Sequence, residues 1–407
     1  MRISDSNFAD IMGVSKKTIR LWEQNGTYVP QVDTEGHKYY LTENLVDLPE
    51  IREMVDSTWQ EEMEIKPDRP YTSIELFAGA GGLALGMEKA GFHHILLNEF
   101  DKYACATLRK NRPHWNVIEA DIHQLDFSAY AGKVDLLTGG FPCQAFSYAG
   151  KQAGFEDTRG TLFFELARAI QQTRPKVVLC ENVKGLLSHD KGHTLSVIKN
   201  TIIELGYTLV EPRVLQAIKY QVPQKRERLI LIAIRNDYAK AVTYKWPSPY
   251  KRIMTLRDAL YAGELYADNV PVSEGQKYPE KKRKVMELVP MGGYWRDLPL
   301  DVQKAYMGRS FELEGGKTGI ARRLSLDEPS LTLTCAPAQK QTERCHPLET
   351  RPLTVREYAR IQTFPDDWQF EGNLTAQYKQ IGNAVPVNLA HAVGRSLIRL
   401  LNDIERL

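Results

Sequence analysis

No stretch of the chain reaches the roughly 18 consecutive apolar residues that a membrane-spanning helix needs. The opening MRISDSNFADIMG is polar and has none of the apolar core of a secretory signal. There is no CxxC pair. The five cysteines, Cys105, Cys143, Cys180, Cys335 and Cys345, are scattered and odd in number. That spacing argues against a disulfide framework or a zinc site and fits reduced thiols in the cytoplasm, with no metal expected. A large charge excess is also missing: 53 Lys and Arg stand against 51 Asp and Glu, a formal net charge of +2. Any surface for a polyanion must therefore be a local patch balanced by acid elsewhere. No internal repeat or low-complexity tract is visible. A hydrophobic fraction of 43% is ample for a sizeable core. The length of 407 residues suggests two or three domains.

Three regions differ in pattern. In residues 1–60, NFADIMGVSKKTIRLWEQNG reads as two short helices around a turn at Gly13, with Ser15 placed to cap the second. Ile19 and Trp22 face inward there, while Lys16, Lys17 and Arg20 are free to face out. HKYYL follows as a short strand. Residues 61–70, EEMEIKPDRP, are charged, carry two prolines and read as a linker. From Tyr71 to about residue 245, short apolar runs alternate with helical segments: TSIELF, HILLNE, VIEADI, VDLLTGG, KVVLCENV, TLVEPRVL and RLILIAIR are the strands. This alternation predicts an α/β fold with a doubly wound, mostly parallel sheet covered by helices on both faces. It stops near Trp246. Residues 246–350 are rich in turn formers, contain the basic run KKRK at 281–284 and show no clear period, as expected of an inserted small domain. Residues 351–407 become helical again, in LTVREYARIQTF and VPVNLAHAVGRSLIRLL, and return to the main domain.

The ends of the strands carry the chemistry. The first runs into the turn FAGAGG, Phe77 to Gly82, where glycines let backbone approach a ligand at a helix start. The second ends in Glu99, whose carboxylate suits two ribose hydroxyls, and the third in Asp121, which can accept from an exocyclic amine. Together they suit a nucleoside cofactor. The spacing departs from GxGxxG, a generic nucleotide-binding unit remains open, and Asp121 could simply cap a helix. The fourth strand leads into GGFPCQAFS. Cys143 sits just where a strand leaves the sheet, at the edge where doubly wound folds bind ligands, so it is placed as a nucleophile. Cys180 in VVLC and Cys105 in a helix read as core residues instead. The fifth strand ends in Glu181, bringing a carboxyl to the same edge as Cys143. With no imidazole placed to take the thiol proton, the pair suits addition to an electron-poor ring, the acid stabilising a ring nitrogen. A strand-end ion pair is the alternative for Glu181. In QVPQKRERL, Arg226 and Arg228 alternate on extended chain and point the same way, to hold a carbonyl oxygen and a phosphate or simply to lie in solvent.

In order along the chain, ELFAGAGGLALG, NEFD, ADI, GGFPCQAFS, DTRGTLFFE, ENV, QVPQKRERL, RPLTVREYARIQTFPDDW and YKQIGNAVP resemble the bacterial cytosine-5 DNA methyltransferases of restriction–modification systems, from Ser73 to about Leu400. The resemblance implies a Rossmann-like class I methyltransferase domain that uses S-adenosylmethionine. It implies that Phe77, Gly79, Gly81 and Gly82 cradle the cofactor's amino-acid part, and that Glu99 holds the ribose. Phe100 would stack on the adenine, Asp121 and Ile122 would contact it, and Pro142 and Leu162 would flank it. Asn383 and Val385 would close the site. Phe100 stands where family members often have Trp. The implied mechanism extrudes a cytosine from double-stranded DNA and attacks it with Cys143, assisted by Glu181, Arg226 and Arg228. Target recognition is expected in 246–350, with Thr332 near the flipped base and Gln339, Lys340, Gln341 and Arg344 as candidate readers. KKRK is expected on phosphates or in solvent. Residues 1–60 resemble a winged helix-turn-helix of the MerR type, carried by VSKKTIRLWEQNG and GHKYYLTENL. Lys16, Lys17 and Arg20 would face DNA there, and the chain's own promoter is the expected target. A cognate restriction endonuclease is the expected functional partner. If the module acts separately, a chain lacking 1–60 should leave methylation largely intact; that the module merely packs on the catalytic domain or assists substrate binding is the alternative. An RNA-directed enzyme on the same scaffold and a regulator with an inactive catalytic domain remain as rival classes.

Overall fold

A computed structural model describes residues 1–141, 162–312 and 317–407. Pro142 and Cys143 lie outside the described residues. The N-terminal module is a three-stranded antiparallel sheet of β1 (Arg2–Ile3), β2 (Gln31–Val32) and β3 (Lys38–Leu41), in the order β1-β3-β2. Two helices pack on it, α1 (Asp5–Met12) and α2 (Lys16–Gln24). Both helix starts are capped by serine: Ser4 Oγ accepts from the Asn7 N–H and Ser15 Oγ from the Thr18 N–H. Gly13, at φ 64°, ends α1 in the left-handed conformation and makes the turn. Phe8, Ile19, Tyr40, Ile51 and Met54 form the module's core, but two of its buried members, Ile218 and Ile253, come from the main body. The module is thus built into the protein's apolar packing.

The main sheet is formed by β4 (Tyr71–Leu76), β5 (Phe92–Glu99), β6 (Val117–Glu119), β7 (Leu136–Gly139), β8 (Val177–Val183), β9 (Tyr207–Leu209), β10 (Arg213–Gln216) and β12 (Glu227–Arg235). Between the last two lies the short β11 (Gln224–Lys225), which pairs in parallel with the distant β13 (Ser330–Leu331). The order is β10-β12-β8-β7-β4-β5-β6, with β9 beside β12. Neighbours from β6 to β8 run parallel, and β12 is antiparallel to β8. Both faces are covered, which is why strands such as Val177–Cys180 read as unbroken apolar runs. Leu136, Leu179 and Ile232 face the helices Gly82–Ala90 and Val387–Glu405, while Leu137, Val178 and Leu231 face Leu162–Thr173 and His193–Glu204. A Cβ on Gly86 would collide with Ala390, so that glycine lets the first pair of helices meet closely.

Two boundaries differ from the sequence reading. Residues 61–70 form a packed strap rather than a free linker. Glu62 is buried, the Asp68 N–H donates to Asn402 Oδ1 at 2.9 Å, and Arg69 pairs with Asp135 at 2.6 Å. The prolines stop a helix, but the charges find partners on the sheet edge and the last helix. The stretch from 246 to about 260 also belongs with the main body: Leu256, Ala259 and Leu260 pack with Tyr358, Phe364 and Trp368. The small separate core gathers Tyr278, Met286, Val289, Trp295, Leu298, Met307, Ile320, Ala321 and Cys345. KKRK lies on the helix Glu280–Glu287 within it, and Leu300–Met307 is a second helix that the absence of a clear period concealed. The helix Leu374–Asn383 was likewise not expected from its mixed composition.

Candidate active site

At the carboxyl end of β4 the chain turns sharply through Phe77 (φ 58°), Gly79 (φ 54°) and Gly81 (φ 86°). Glu99, at the end of β5, holds that turn. Its Oε2 accepts from the Gly79 N–H at 2.8 Å and its Oε1 from the N–H groups of Phe100 and Asp101, also at 2.8 Å. A Cβ on Gly82 would collide with the Val385 carbonyl, so this position brings the 383–385 segment against the turn. A Cβ on Gly79 would meet nothing within 4 Å and would project into open space.

On the other side of the switch point, β7 ends at Gly139 and β8 carries Glu181 and Asn182 at its end. Asn182 Nδ2 donates to the Phe141 carbonyl at 2.8 Å, tying the chain two residues before Cys143 to the neighbour of Glu181. A Cβ on Gly140 would stand 3.0 Å from Glu181 Oε2. Arg228 Nε meets Glu181 Oε1 at 2.5 Å, and both side chains are about nine-tenths buried. Arg226 does something different. It lies between β11 and β12, wholly buried, and donates to the carbonyls of Leu333, Gly382 and Asn383 at 3.3, 3.0 and 3.4 Å. Burial, together with the nearby Arg228, pulls its pKa down to about 9, still cationic at neutral pH. The two arginines line one cleft, as their spacing implied, but Arg226 holds its walls together while Arg228 faces the acid.

That cleft has a volume of about 970 Å³. Phe77, Gly79, Gly82, Glu99, Glu181, Arg226, Arg228, Thr332, Asn383 and Val385 line it, so stretches far apart in the sequence converge there. Other candidates lie elsewhere. A Cβ on Gly81 would strike Leu108 and approach Trp368, so that side of the turn is closely packed. Asp121 is half exposed and caps a short turn, accepting from the His123 N–H at 3.1 Å and pairing with its ring at 2.6 Å, which holds its carboxyl below the usual range. Ile122 is buried and Leu162 half-buried in the apolar core. Phe100 is 74% exposed beside Glu99, an aromatic face without a protein partner in the core.

Among the candidate base readers, Arg344 is corrected: it is buried, with its guanidinium on the Thr332 and Glu343 carbonyls, and cannot reach a groove. Lys340 is exposed and donates to the Tyr306 carbonyl at 2.8 Å; Gln339 and Gln341 are exposed. Thr332 Oγ1 donates to the Lys225 carbonyl at 2.6 Å. Lys17 and Arg20 are exposed on α2, whereas Lys16 is paired with Glu328 at 2.6 Å.

Sequence reasoning missed several residues of the cleft. Cys335 lines it, and its thiol lies 3.2 Å from Asn383 Oδ1. Glu75 lines it too, and burial pushes its carboxyl well above the usual range, with Glu181 and Glu99 adding to the shift. Among the described residues its Oε2, and the hydroxyl of Thr138 opposite it on β7, are buried without a hydrogen-bond partner. A buried carboxyl that lines a cleft calls for a partner. The ammonium of an amino-acid ligand would suit Glu75, beside the open Gly79 position. The only sequence signal was a carboxylate inside an apolar strand.

Residues 71–399 match the family model of C-5 cytosine-specific DNA methylases, and residues 1–69 that of MerR helix-turn-helix regulatory proteins. The chain belongs to the C-5 cytosine-specific DNA methylases, with S-adenosylmethionine as cofactor and DNA as substrate. More particularly, it is a type II methyltransferase of a restriction–modification system with an N-terminal helix-turn-helix. It is 63% identical over 402 residues to the type II methyltransferase M.Eco47II of Escherichia coli, covering 98% of this chain and 96% of that one. Identity to M.PspPI of Psychrobacter sp. (strain TA137) is 60%, covering 99% and 98%. Identity to M.Sau96I of Staphylococcus aureus is 47%, covering 98% and 88%. A crystal structure described as a putative prophage-encoded DNA modification methyltransferase from E. coli shares the fold, with a TM-score of 0.59 at 24% identity over 82% of this chain and 99% of that one. No helix among the described residues is long and apolar enough to cross a membrane.

Proposed function

We propose that the enzyme flips its target cytosine out of the duplex into this cleft and attacks it with Cys143. The observation that carries the reading is the junction of β7 and β8: Glu181 stands beside Asn182, which grips Phe141, two residues before Cys143. Cys143, as thiolate, adds to ring carbon 6. Glu181 hydrogen-bonds ring nitrogen 3 and the exocyclic amine and stabilises the electron density pushed onto the ring, while Arg228 orients Glu181 and faces the carbonyl at carbon 2. Carbon 5 thereby becomes nucleophilic. Phe77, Gly79, Gly82, Glu99, Asn383 and Val385, with the exposed Phe100, would hold S-adenosylmethionine, which would supply an electrophilic methyl group. Water then takes the carbon 5 proton, the electron pair re-forms the carbon 5–carbon 6 double bond, and the carbon–sulfur bond breaks to return the thiolate. A duplex carrying 5-fluorocytosine in the target position has no proton to lose and should trap a covalent adduct. A native enzyme that gives no adduct, or a Cys143→Ser variant that methylates at near-normal rate, refutes the mechanism.

The methylation protects host DNA from a cognate restriction endonuclease, with the target sequence read through Gln339, Lys340, Gln341 and Thr332 in the inserted region. Residues 1–60 also bind the enzyme's own promoter through the exposed Lys17 and Arg20 of α2. Bisulfite sequencing of DNA from cells producing the protein identifies the methylated site. A Lys17→Ala/Arg20→Ala variant should lose promoter binding and keep methylation; unchanged promoter binding would sink that second role.

A further inference from the structure

The N-terminal module is seated on the strand pair that frames the cleft. Lys225, the last residue of β11, pairs with Asp10 Oδ2 of α1 at 2.9 Å and with Glu328 Oε2 at 3.6 Å. Glu328 lies two residues before β13, and its other oxygen takes the ammonium of Lys16, the first residue of α2, at 2.6 Å. The four charges alternate in sign and bridge both helices of the module to both strands of the pair. Asp10, Lys225 and Glu328 are partly buried, so solvent and salt screen the Asp10–Lys225 pair less than an open surface pair, while Lys16 closes the chain from an exposed position. Beneath them, Ile218 and Ile253 complete the module's core.

What these charges hold leads directly into the site. The Lys225 carbonyl accepts from Thr332 Oγ1, and the next residue is Arg226, whose guanidinium spans the Leu333 and Gly382 carbonyls. The parallel register of β11 and β13 therefore decides where Thr332 and Arg226 stand in the cleft.

We propose that Asp10 and Lys16 are positioning residues for methyl transfer: through Lys225 and Glu328 they lock the β11–β13 pair, so the helix-turn-helix module is part of the catalytic scaffold. This rests on the reading of the cleft as the cytosine site. It also reverses the expectation that a chain lacking residues 1–60 leaves methylation largely intact, since such a chain loses the lock and exposes Ile218 and Ile253.

The test uses the full-length protein with Asp10→Asn and Glu328→Gln, singly and together, and Asp10→Glu as the conservative variant. Thermal unfolding, S-adenosylhomocysteine affinity, and kcat and KM on duplex DNA carrying the methylated site are measured for each. Loosened positioning lowers kcat by about tenfold in the double variant, with cofactor affinity within about twofold of native, and Asp10→Glu restores most of the rate. A folded double variant with native kcat overturns the proposal. So does a loss of rate that follows the loss of melting temperature and is not rescued by Asp10→Glu. Should the double variant fold poorly, Lys16→Met, at a half-exposed site that does not threaten folding, takes its place: a lowered kcat supports the lock and a native kcat overturns it. The 5-fluorocytosine adduct of the native enzyme is run alongside. Its absence counts against the cleft reading itself, whereas its presence beside an unaffected double variant counts only against the positioning role.

Discussion

Replacing Arg226 with methionine separates wall-building from catalysis in this cleft. Arg226 is 2% exposed, and its guanidinium donates to three main-chain carbonyls, of Leu333, Gly382 and Asn383, drawn from two segments far apart in the chain. Methionine fills much of the space but donates nothing. Each buried carbonyl left without a donor costs about 1–3 kcal/mol. Part of that is offset, because the burial of a cation is itself unfavourable. A net loss of about 2–4 kcal/mol follows, which at about 2–4 °C per kcal/mol for a large domain lowers Tm by roughly 4–16 °C. Gly382 and Asn383 run into Val385, whose carbonyl packs on Gly82, so S-adenosylhomocysteine binding weakens together with stability. Arg228→Met behaves differently. It strands the buried Glu181 carboxylate, so it lowers Tm as well, but it leaves the Leu333, Gly382 and Asn383 carbonyls held: kcat falls while binding of the cofactor product stays near native. Thermal unfolding and calorimetric titration of the cofactor product on both variants decide the matter. An Arg226→Met protein that melts within about 2 °C of native and binds the product normally would show that the carbonyl contacts do not hold the walls.

Three further outcomes are expected. Gly82→Ala forces a Cβ into the Val385 carbonyl, so overpacking of about 1–3 kcal/mol should appear as weaker cofactor binding; unchanged affinity would mean that the segment yields freely. Asn182→Ala leaves the Phe141 carbonyl without its donor and should reduce kcat far more than cofactor affinity, read by single-turnover methylation; equal losses in both would contradict a role in placing the nucleophile. Asp135 supplies a pH-dependent clamp. Burial pushes its pKa up, but hydrogen bonds from Arg69 and the Thr72 N–H, with Lys176 nearby, outweigh this and hold it below the usual carboxylate range. A depressed folded-state pKa contributes stability above the unfolded value of about 3.9, and that contribution is lost as pH falls through the folded value. Asp135→Asn should therefore melt below native at pH 7, with the gap closing as pH drops below about 4; a gap independent of pH would refute the assignment.

Much of this protein is written in local pattern. Short apolar runs marked β4, β5, β7, β8 and β12, because a strand buried on both faces has few polar positions to spare. Ser15 and Gly13 announced the helix pair near the start, because caps and left-handed turns are chemical requirements of adjacent residues. Glu99, Glu181 and Gly79 were legible as site residues because strand ends in such a sheet share one edge.

Tertiary structure alone decided the rest, wherever a partner lies far away in sequence. Arg226 and Arg228 are two residues apart and look alike, yet one is enclosed by carbonyls from beyond residue 330 and the other meets Glu181. Arg344 looked like a base reader until its guanidinium proved to be buried on Thr332. The charged strap at 61–70 and the ion pairs from Asp10 and Lys16 to Lys225 and Glu328 have no local signature at all. A charge states only that it needs a partner or water. Which of the two it obtains is set by chain segments that only the folded molecule brings within reach.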